Sequence, residues 1–321
     1  MPATAVEATP TIPVALGIVL REDKVLVGWR NHTLYQGGCW EFPGGKVKTD
    51  ETPRQAVVRE LKEEVGLEIK ETDAEPLIEF AWHYDAQRYF FNVYTVKGSG
   101  GTPVSRFYNY LRWYPVSALE ADDLPPANHA IIKALSLPNR YLITPAGHDI
   151  DIIEQGLNKA FQSDISVAVF RAPELDSQTY MNNARRLLSQ NPTFSNKLLI
   201  HNQPTQVGAL NAAGVQLSAE YAKKYRNRPI AAESLLAISC HNQAELEHAC
   251  RLNADFALLG PVKTTPSHPD SLGLGWHNFK TLVKNVPLPV YAVGGLSGDD
   301  LADCRAYGAQ GVAAIRGFWQ P

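Results

Sequence analysis

From Arg140 onward the sequence keeps one rhythm. The apolar runs "YLITP", "SVAVFRA", "KLLIHN", "GVQLSA", "LLAISCH", "FALLGPV", "PVYAVGG" and "GVAAIRG", eight in all, alternate with longer polar-apolar segments. Segments such as "NQAELEHACRLNA" and "GDDLADCRAYGA" supply helical patterns of suitable length between them. Eight strands with intervening helices predict a closed α/β barrel of the (β/α)8 TIM type over residues 139–321. A doubly wound open sheet would give similar local text, but the strand number favours closure. After the eighth run the chain reads "FWQP", so the helix that ordinarily follows strand eight is expected to be missing.

The first half is patterned differently. "PVALGIVLREDKVLVGWR" sets two alternating β-branched runs around the polar turn "REDK", a hairpin pattern. Strand patterns return at "RYFFNVYTV" and "YLRWYPV", with turn-rich "KGSGGTP" between them. Helical patterns are few, so residues 13–138 are expected to form an α+β domain around a mixed sheet. "PPANHAIIKALSLPNR" adds one more helix, which Pro138 and Asn139 end, and the domain boundary is expected there. A chain of 321 residues accommodates two such domains.

Composition narrows the range of functions. The formal net charge is -3 and Lys and Arg form no stripe, so the electrostatic footprint of a nucleic-acid polymer binder is missing, and any nucleotide ligand is expected to be free. No apolar run is long enough to span a bilayer, and a membrane role is not expected. "MPATAVEATPTIP" has no basic segment followed by an apolar core, so residues 1–12 read as a mobile lead-in rather than an export signal. Cys39, Cys240, Cys250 and Cys304 are scattered and form no CxxC pair, which points to reduced thiols in the cytoplasm.

One stretch carries chemistry: "GGKVKTDETPRQAVVRELKEEVG", Gly44 to Gly66. Thr52 suits an N-cap, Pro53 the first helical position, Gln55 a capping box, and Gly66 a C-terminal stop, so a helix is predicted over 53–65. Val57, Leu61 and Val65 give it an apolar seam, with Ala56 and Val58 beside them. Glu60 then reaches Glu63 and Glu64 at i+3 and i+4, and the carboxylates are expected to converge. Like charges so placed cost roughly 0.2–0.5 kcal/mol per pair. A solvated acidic face is one reading; the other is a hard divalent cation such as Mg²⁺ that turns repulsion into coordination and bridges carboxylates to substrate phosphates.

The wider spacing decides between them. Gly45, five residues, Glu51, seven residues, Arg59-Glu60-Leu61, one residue, Glu63-Glu64, one residue, then Gly66-Leu67 resembles the Nudix box at every defined position. The resemblance, to Nudix hydrolases of the MutT type, extends over about residues 13–135. It implies Mg²⁺, with Mn²⁺ as the alternative, held by Glu60, Glu63, Glu64 and the Gly44 carbonyl. It also implies Glu60 as base or orienting group for the attacking water, Arg59 holding Glu51, and cleavage of a nucleoside diphosphate linkage. The expected substrate is 8-oxo-dGTP, hydrolysed to 8-oxo-dGMP and diphosphate, a role in nucleotide-pool sanitation and mutation avoidance during DNA replication and repair. Arg30, Tyr35 and the "EFPG" residues Glu41, Phe42, Pro43 and Gly44 match family substrate contacts. Asn128, in "LEADDLPPANHAIIKAL", matches the residue that reads the damaged base, since an amide can donate and accept together. A helix N-cap is the other reading of Asn128. Where the resemblance expects a further acid before a late tryptophan, this chain has Arg112 before Trp113, which leaves the metal count open.

The second half resembles thiamine phosphate synthase and its TenI relative over about residues 140–317. The resemblance implies a phosphate site after strands seven and eight, at Gly294, Gly295 and Gly317 with Arg316 nearby; tight turns are the plainer reading of those glycines. The residues expected to carry synthase chemistry are replaced: Arg171-Ala172-Pro173, His201-Asn202 and "LSAEYA" lack the lysine and both metal-binding aspartates. The barrel is therefore not expected to act as a synthase. Its mouth is expected to contain Arg171, His201, Asn202, Ser239, His241, Thr265, Ser267 and His268. These residues suit TenI-like proton transfer on a small heterocycle, binding of a thiazole or thiamine phosphate without chemistry, or purely structural hydrogen bonding. A thiamine-related diphosphate is the alternative substrate for the hydrolase. Cys240 beside His241 reads as a packing thiol, because adjacent strand residues face opposite ways.

Overall fold

The computed structural model describes residues 10–33, 37–97, 101–119, 121–264 and 273–319. Tyr35, Thr265, Ser267 and His268 lie outside the described residues. The chain packs as two compact units that meet in sequence between Ser136 and Leu137.

The first unit contains β1 (Ile12–Arg21), β2 (Lys24–Trp29), β3 (Trp40–Glu41), β4 (Gly44–Lys46), α1 (Pro53–Val65), β5 (Ala74–Tyr84), β6 (Gln87–Lys97), β7 (Tyr110–Pro115) and α2 (Asn128–Ser136). Its strands form one mixed sheet in the order β3-β2-β1-β6-β5, with β4 beside β1 and β7 beside β2. Only the β1–β6 pair is parallel among the described pairings; every other is antiparallel. Alternation along β1 sends its residues to two cores. Ala15 and Val19 pack with Ala56, Val57, Leu61 and Val65 of α1, while Val14, Leu16 and Ile18 pack with Ala127, Ala130, Ile131 and Ala134 around α2. Burial of such side chains is worth roughly 1.5–3 kcal/mol each, which fixes which face each helix covers. The sequence signals for α1 act as expected: Thr52 accepts from Gln55 N, the reciprocal Gln55 bond completes the capping box, and Gly66 ends the helix at φ 68°.

The second unit runs through β8 (Arg140–Ile143), α3 (Ile150–Gln162), β9 (Ala168–Phe170), α4 (Ser177–Gln190), β10 (Leu198–His201), α5 (Val207–Leu210), β11 (Gly214–Leu217), α6 (Ala219–Ala222), β12 (Leu235–Cys240), α7 (Gln243–Arg251), β13 (Phe256–Leu259), α8 (Gly275–Val283), β14 (Val290–Val293), α9 (Leu301–Ala306) and β15 (Gly311–Ala314). Its eight strands close into a parallel barrel, β15 pairing with β8. The expected barrel is thus present, although α5 and α6 shrink to four residues each. Aromatic side chains fill the interior: the Tyr141 ring lies 5.2 Å from Phe256 and 5.7 Å from Tyr291. The Tyr141 hydroxyl donates to Gln216 Oε1 at 2.7 Å, and Gln216 Nε2 donates to Ser239 Oγ at 3.1 Å. The Tyr141, Gln216 and Ser239 side chains are thereby paired, as low dielectric requires.

No helix follows β15 among the described residues. Trp319 covers α3 instead, lying so close to Gly156 that a Cβ there would come within 2.2 Å of the indole. Leu137 and Pro138 are held by barrel groups, their carbonyls accepting from Gln310 Nε2 and the Tyr291 hydroxyl. Among the described residues no helix is long and apolar enough to cross a membrane.

Candidate active site

The acidic site lies where β4 meets α1. Gly44 and Gly45 pair with Leu16 and Ala15 of β1. Gly44 has φ +149°, and a Cβ there would lie 2.2 Å from the Ala15 carbonyl oxygen. A Cβ on Gly45 would lie 2.4 Å from Glu60 Oε1. Glycine at both positions lets bare backbone press against the carboxylates of the helix.

Arg59 organises one side of the cluster. Its Nε donates to Glu51 Oε2 at 2.9 Å and its Nη2 to Glu51 Oε1 at 2.5 Å, a bidentate pair. The same guanidinium reaches Glu60 Oε1 at 2.6 Å and Glu63 Oε2 at 3.2 Å. The Arg59 hydrogen bond holds the Glu51 carboxyl down to about 2, against the opposing pull of burial. The Arg59 guanidinium thus lies among the acids that sequence spacing set on one side of α1. Glu60 and Glu63 therefore face Arg59, and no group of three acids, histidines or cysteines is arranged as a closed metal cage among the described residues.

Glu64 sits in a different environment. Its Oε2 accepts from Gly44 N and from the Tyr108 hydroxyl, both at 2.9 Å. Burial pushes its carboxyl up to about 7; the Tyr108 and Gly44 hydrogen bonds oppose this, and the charges of Glu60 and Glu41 add to it. Glu41 is also raised by burial, opposed by Arg30 and Tyr108. Arg30 Nη1 donates to both Glu41 oxygens, at 3.0 and 3.2 Å. Tyr108 was not singled out by sequence: it lies in the irregular "SRFYNY" stretch and reaches Glu64 across 44 positions.

The remaining expected substrate contacts are Phe42, Pro43 and Asn128. Phe42 is buried in the α2-side core, and the Pro43 carbonyl accepts from Gly17 N at 2.9 Å. Asn128 is the first residue of α2 and not the residue before it. It is 5% exposed. The preceding Ala127 N donates to the Tyr84 hydroxyl at 3.3 Å, anchoring the start of α2 on the aromatic end of β5. Arg112 stands opposite Val27 on β2, with its guanidinium 4.5 Å above the Tyr114 ring. It therefore lies on the α2 face, away from the glutamates of α1.

At the barrel mouth, Arg171 follows β9 and lies beside His201, the last residue of β10. Burial, with Arg171 adding, lowers the His201 imidazole to about 4. A neutral imidazole next to a guanidinium can accept a proton or hydrogen bond but carries no charge near pH 7. Asn202, at φ 54°, is committed to the next loop: its Oδ1 accepts from Ser218 N at 2.9 Å. Ser239 receives Gln216, as described above. The His241 Nδ1 lies 2.9 Å from Glu245 Oε2. Gly294 and Gly295 have φ +102° and +67° and pack against Pro261 and Lys263. Gly317 bridges to Ser297, and Arg316 is exposed. Lys263, which sequence reasoning passed over, brings a cation to this end of the barrel, 2.5 Å from Asp300 Oδ1. Cys240 is buried and its thiol is raised by that burial, in keeping with a packing role.

Comparison with known proteins agrees with this division. Residues 140–318 match the family described as thiamine monophosphate synthase, and residues 11–135 match the NUDIX domain. The chain belongs to both families, a Nudix hydrolase domain followed by a thiamine monophosphate synthase domain. Over the first domain it is 41% identical across 125 residues to the 8-oxo-dGTP diphosphatase of Haemophilus influenzae, covering 39% of this chain and 90% of that protein. It is 31% identical across 133 residues to the 8-oxo-dGTP diphosphatase of Escherichia coli, covering 39% of this chain and 95% of that one. Over the second domain it is 25% identical across 184 residues to the putative thiamine-phosphate synthase 2 of Aquifex aeolicus, covering 57% of this chain and 99% of that protein.

Proposed function

We propose that the first domain is a divalent-metal-dependent pyrophosphohydrolase that converts 8-oxo-dGTP and water to 8-oxo-dGMP and diphosphate. The observation that carries this reading is the placement of Glu60 and Glu64 against the bare backbone of Gly44 and Gly45. Each acid has one oxygen committed, Glu60 Oε1 to Arg59 and Glu64 Oε2 to Gly44 and Tyr108, and one oxygen to which no described group donates. Two open carboxylate oxygens next to a cradle that any Cβ would fill suit a hard cation. Glu60, Glu64 and the Gly44 carbonyl would hold Mg²⁺ or Mn²⁺, with Glu63 at the exposed rim. Bound there, the ion neutralises phosphate oxygens and makes water more acidic. Arg59 holds Glu60 in place as the proton acceptor for the attacking water, and Glu51 keeps Arg59 from swinging away.

The buried side-chain amide of Asn128, at the first position of α2, supports a base-reading role. 8-Oxoguanine carries a proton at N7 where guanine has a lone pair, so an amide oxygen there favours the damaged base. Asn128→Ala is expected to lower the preference for 8-oxo-dGTP over dGTP by about tenfold or more, the value of one or two hydrogen bonds. Parallel kcat/KM measurements on the two nucleotides check this. Product analysis tests the wider reading: release of orthophosphate alone, or equal turnover of the two nucleotides by the wild type, would remove it. Thiamine diphosphate and its oxidised form belong in the same competition assay, because the second domain's family favours a thiamine-related diphosphate as the rival substrate.

For the barrel, we infer binding of a small phosphorylated heterocycle such as thiazole phosphate, without synthase activity. The missing metal-binding aspartates and lysine support the second half of that statement. Calorimetry with thiazole phosphate on the intact chain, followed by a turnover assay, separates binding from catalysis.

A further inference from the structure

Residues 104–108 close the C-terminal end of the Nudix helix. Val104 N donates to Val65 O and Arg106 N to Glu64 O, both at 2.9 Å, and Arg106 Nη1 donates to Lys62 O at 3.1 Å. Three of the carbonyls that a helix leaves open at its end are thus satisfied by one passing segment. Anchored in this way, the chain turns Tyr108 inward, where it is 6% exposed. The ring lies on Gly28 of β2, and a Cβ at Gly28 would come within 2.4 Å of it. Glycine on β2 is therefore the seat of the ring, and the seat aims the hydroxyl at Glu64 Oε2, 2.9 Å away. The same hydroxyl faces Glu41, whose ionisation it favours together with Arg30.

We propose that Tyr108 is a positioning residue of the hydrolytic site, its hydroxyl locking the Glu64 carboxylate so that the other oxygen is presented to the cation. This rests on the hydrolase reading given above. Two donors on one oxygen, Gly44 N and the Tyr108 hydroxyl, leave Glu64 a single orientation. With Gly44 N alone the carboxylate can rotate about its terminal torsion, which has a broad energy profile. Tyr108 acts through Glu64. A core-filling ring would serve packing equally well without the hydroxyl, and that difference makes the proposal testable.

Tyr108→Phe keeps the ring on Gly28 and removes only the hydroxyl. In the full chain, Mg²⁺ binding followed by calorimetry without nucleotide is expected to weaken about tenfold, as for one hydrogen bond to a charged group. The Mg²⁺ concentration that half-saturates hydrolysis is expected to rise by the same factor, while kcat at saturating Mg²⁺ and the far-ultraviolet circular dichroism stay close to wild type. Unchanged Mg²⁺ binding, or a loss in kcat alone, overturns the proposal and leaves the hydrolase reading standing. A wild-type chain that neither binds Mg²⁺ nor cleaves a diphosphate linkage overturns both.

Discussion

Glu60→Gln in the intact chain is expected to lower kcat for diphosphate release by at least about a hundredfold, the lower part of the range for loss of a general base. The change is nearly isosteric. The glutamine oxygen can still accept from Arg59 Nη1, now 2.6 Å from Glu60 Oε1, and the side chain still meets Gly45. What disappears is the negative charge, and with it both the proton-accepting oxygen and the attraction for a cation. Arg59 keeps its bidentate bond to Glu51, so the helix has no reason to shift. Steady-state kinetics with circular dichroism alongside check this: a rate within a few-fold of wild type on a folded protein would count decisively against Glu60 as the base.

Glu64 leads to a pH-dependent stability. Its carboxyl has an ordinary value of 4.5 and is pushed up to about 7 in the folded chain, mainly by burial. Below 4.5 both folded and unfolded chains hold the proton and the group costs nothing. Between 4.5 and about 7 the unfolded chain releases its proton while the folded chain retains it, so stability falls as pH rises. Above about 7 the full cost is present, up to about 3 kcal/mol at 1.36 kcal/mol per pH unit. Glu64→Gln is therefore expected to match wild type near about pH 4 and to unfold at higher denaturant near about pH 8. Mg²⁺ should raise the wild-type midpoint at the upper pH and leave Glu64→Gln little changed, because a ligand of the folded state stabilises by mass action. Denaturant unfolding of the first domain in the intact chain measures both; parallel pH profiles for the two proteins would contradict the assignment.

Local signals made parts of this molecule readable from sequence. The capping box at Thr52, the stop at Gly66 and the four-residue spacing of Val57, Leu61 and Val65 each act within a turn or two, and α1 spans the expected residues. The eight barrel strands were readable because short apolar runs alternate regularly with helical patterns. Other features depended on distant partners. β5 was missed because "AEPLIEFAWHY" mixes Glu and Pro into its run, and it is held by pairing with β6 along its whole length except for a bulge between Pro76 and Ile78. β3 and β4 are two and three residues long and exist through pairing with β2 and β1. The same distinction holds at the site. Spacing along α1 predicts which acids are neighbours, but not that Tyr108 arrives from the irregular segment before β7 to hold Glu64. Asn128 was legible as a residue type at a position, whereas its burial is a property of the folded α2 boundary.

The pairing of β8 with β15 sets an order of events during synthesis. Every element of the first domain, through Ser136, leaves the ribosome before the first barrel strand does. Strand β8 then has one edge without its neighbour until Gly311–Ala314 emerges, an interval on the order of ten seconds at ordinary elongation rates. Unpaired backbone on an apolar strand invites association with other chains. A nascent polypeptide of this kind therefore passes through a stage with one completed module and one open ring, and it is the open ring that a holdase would be expected to shelter.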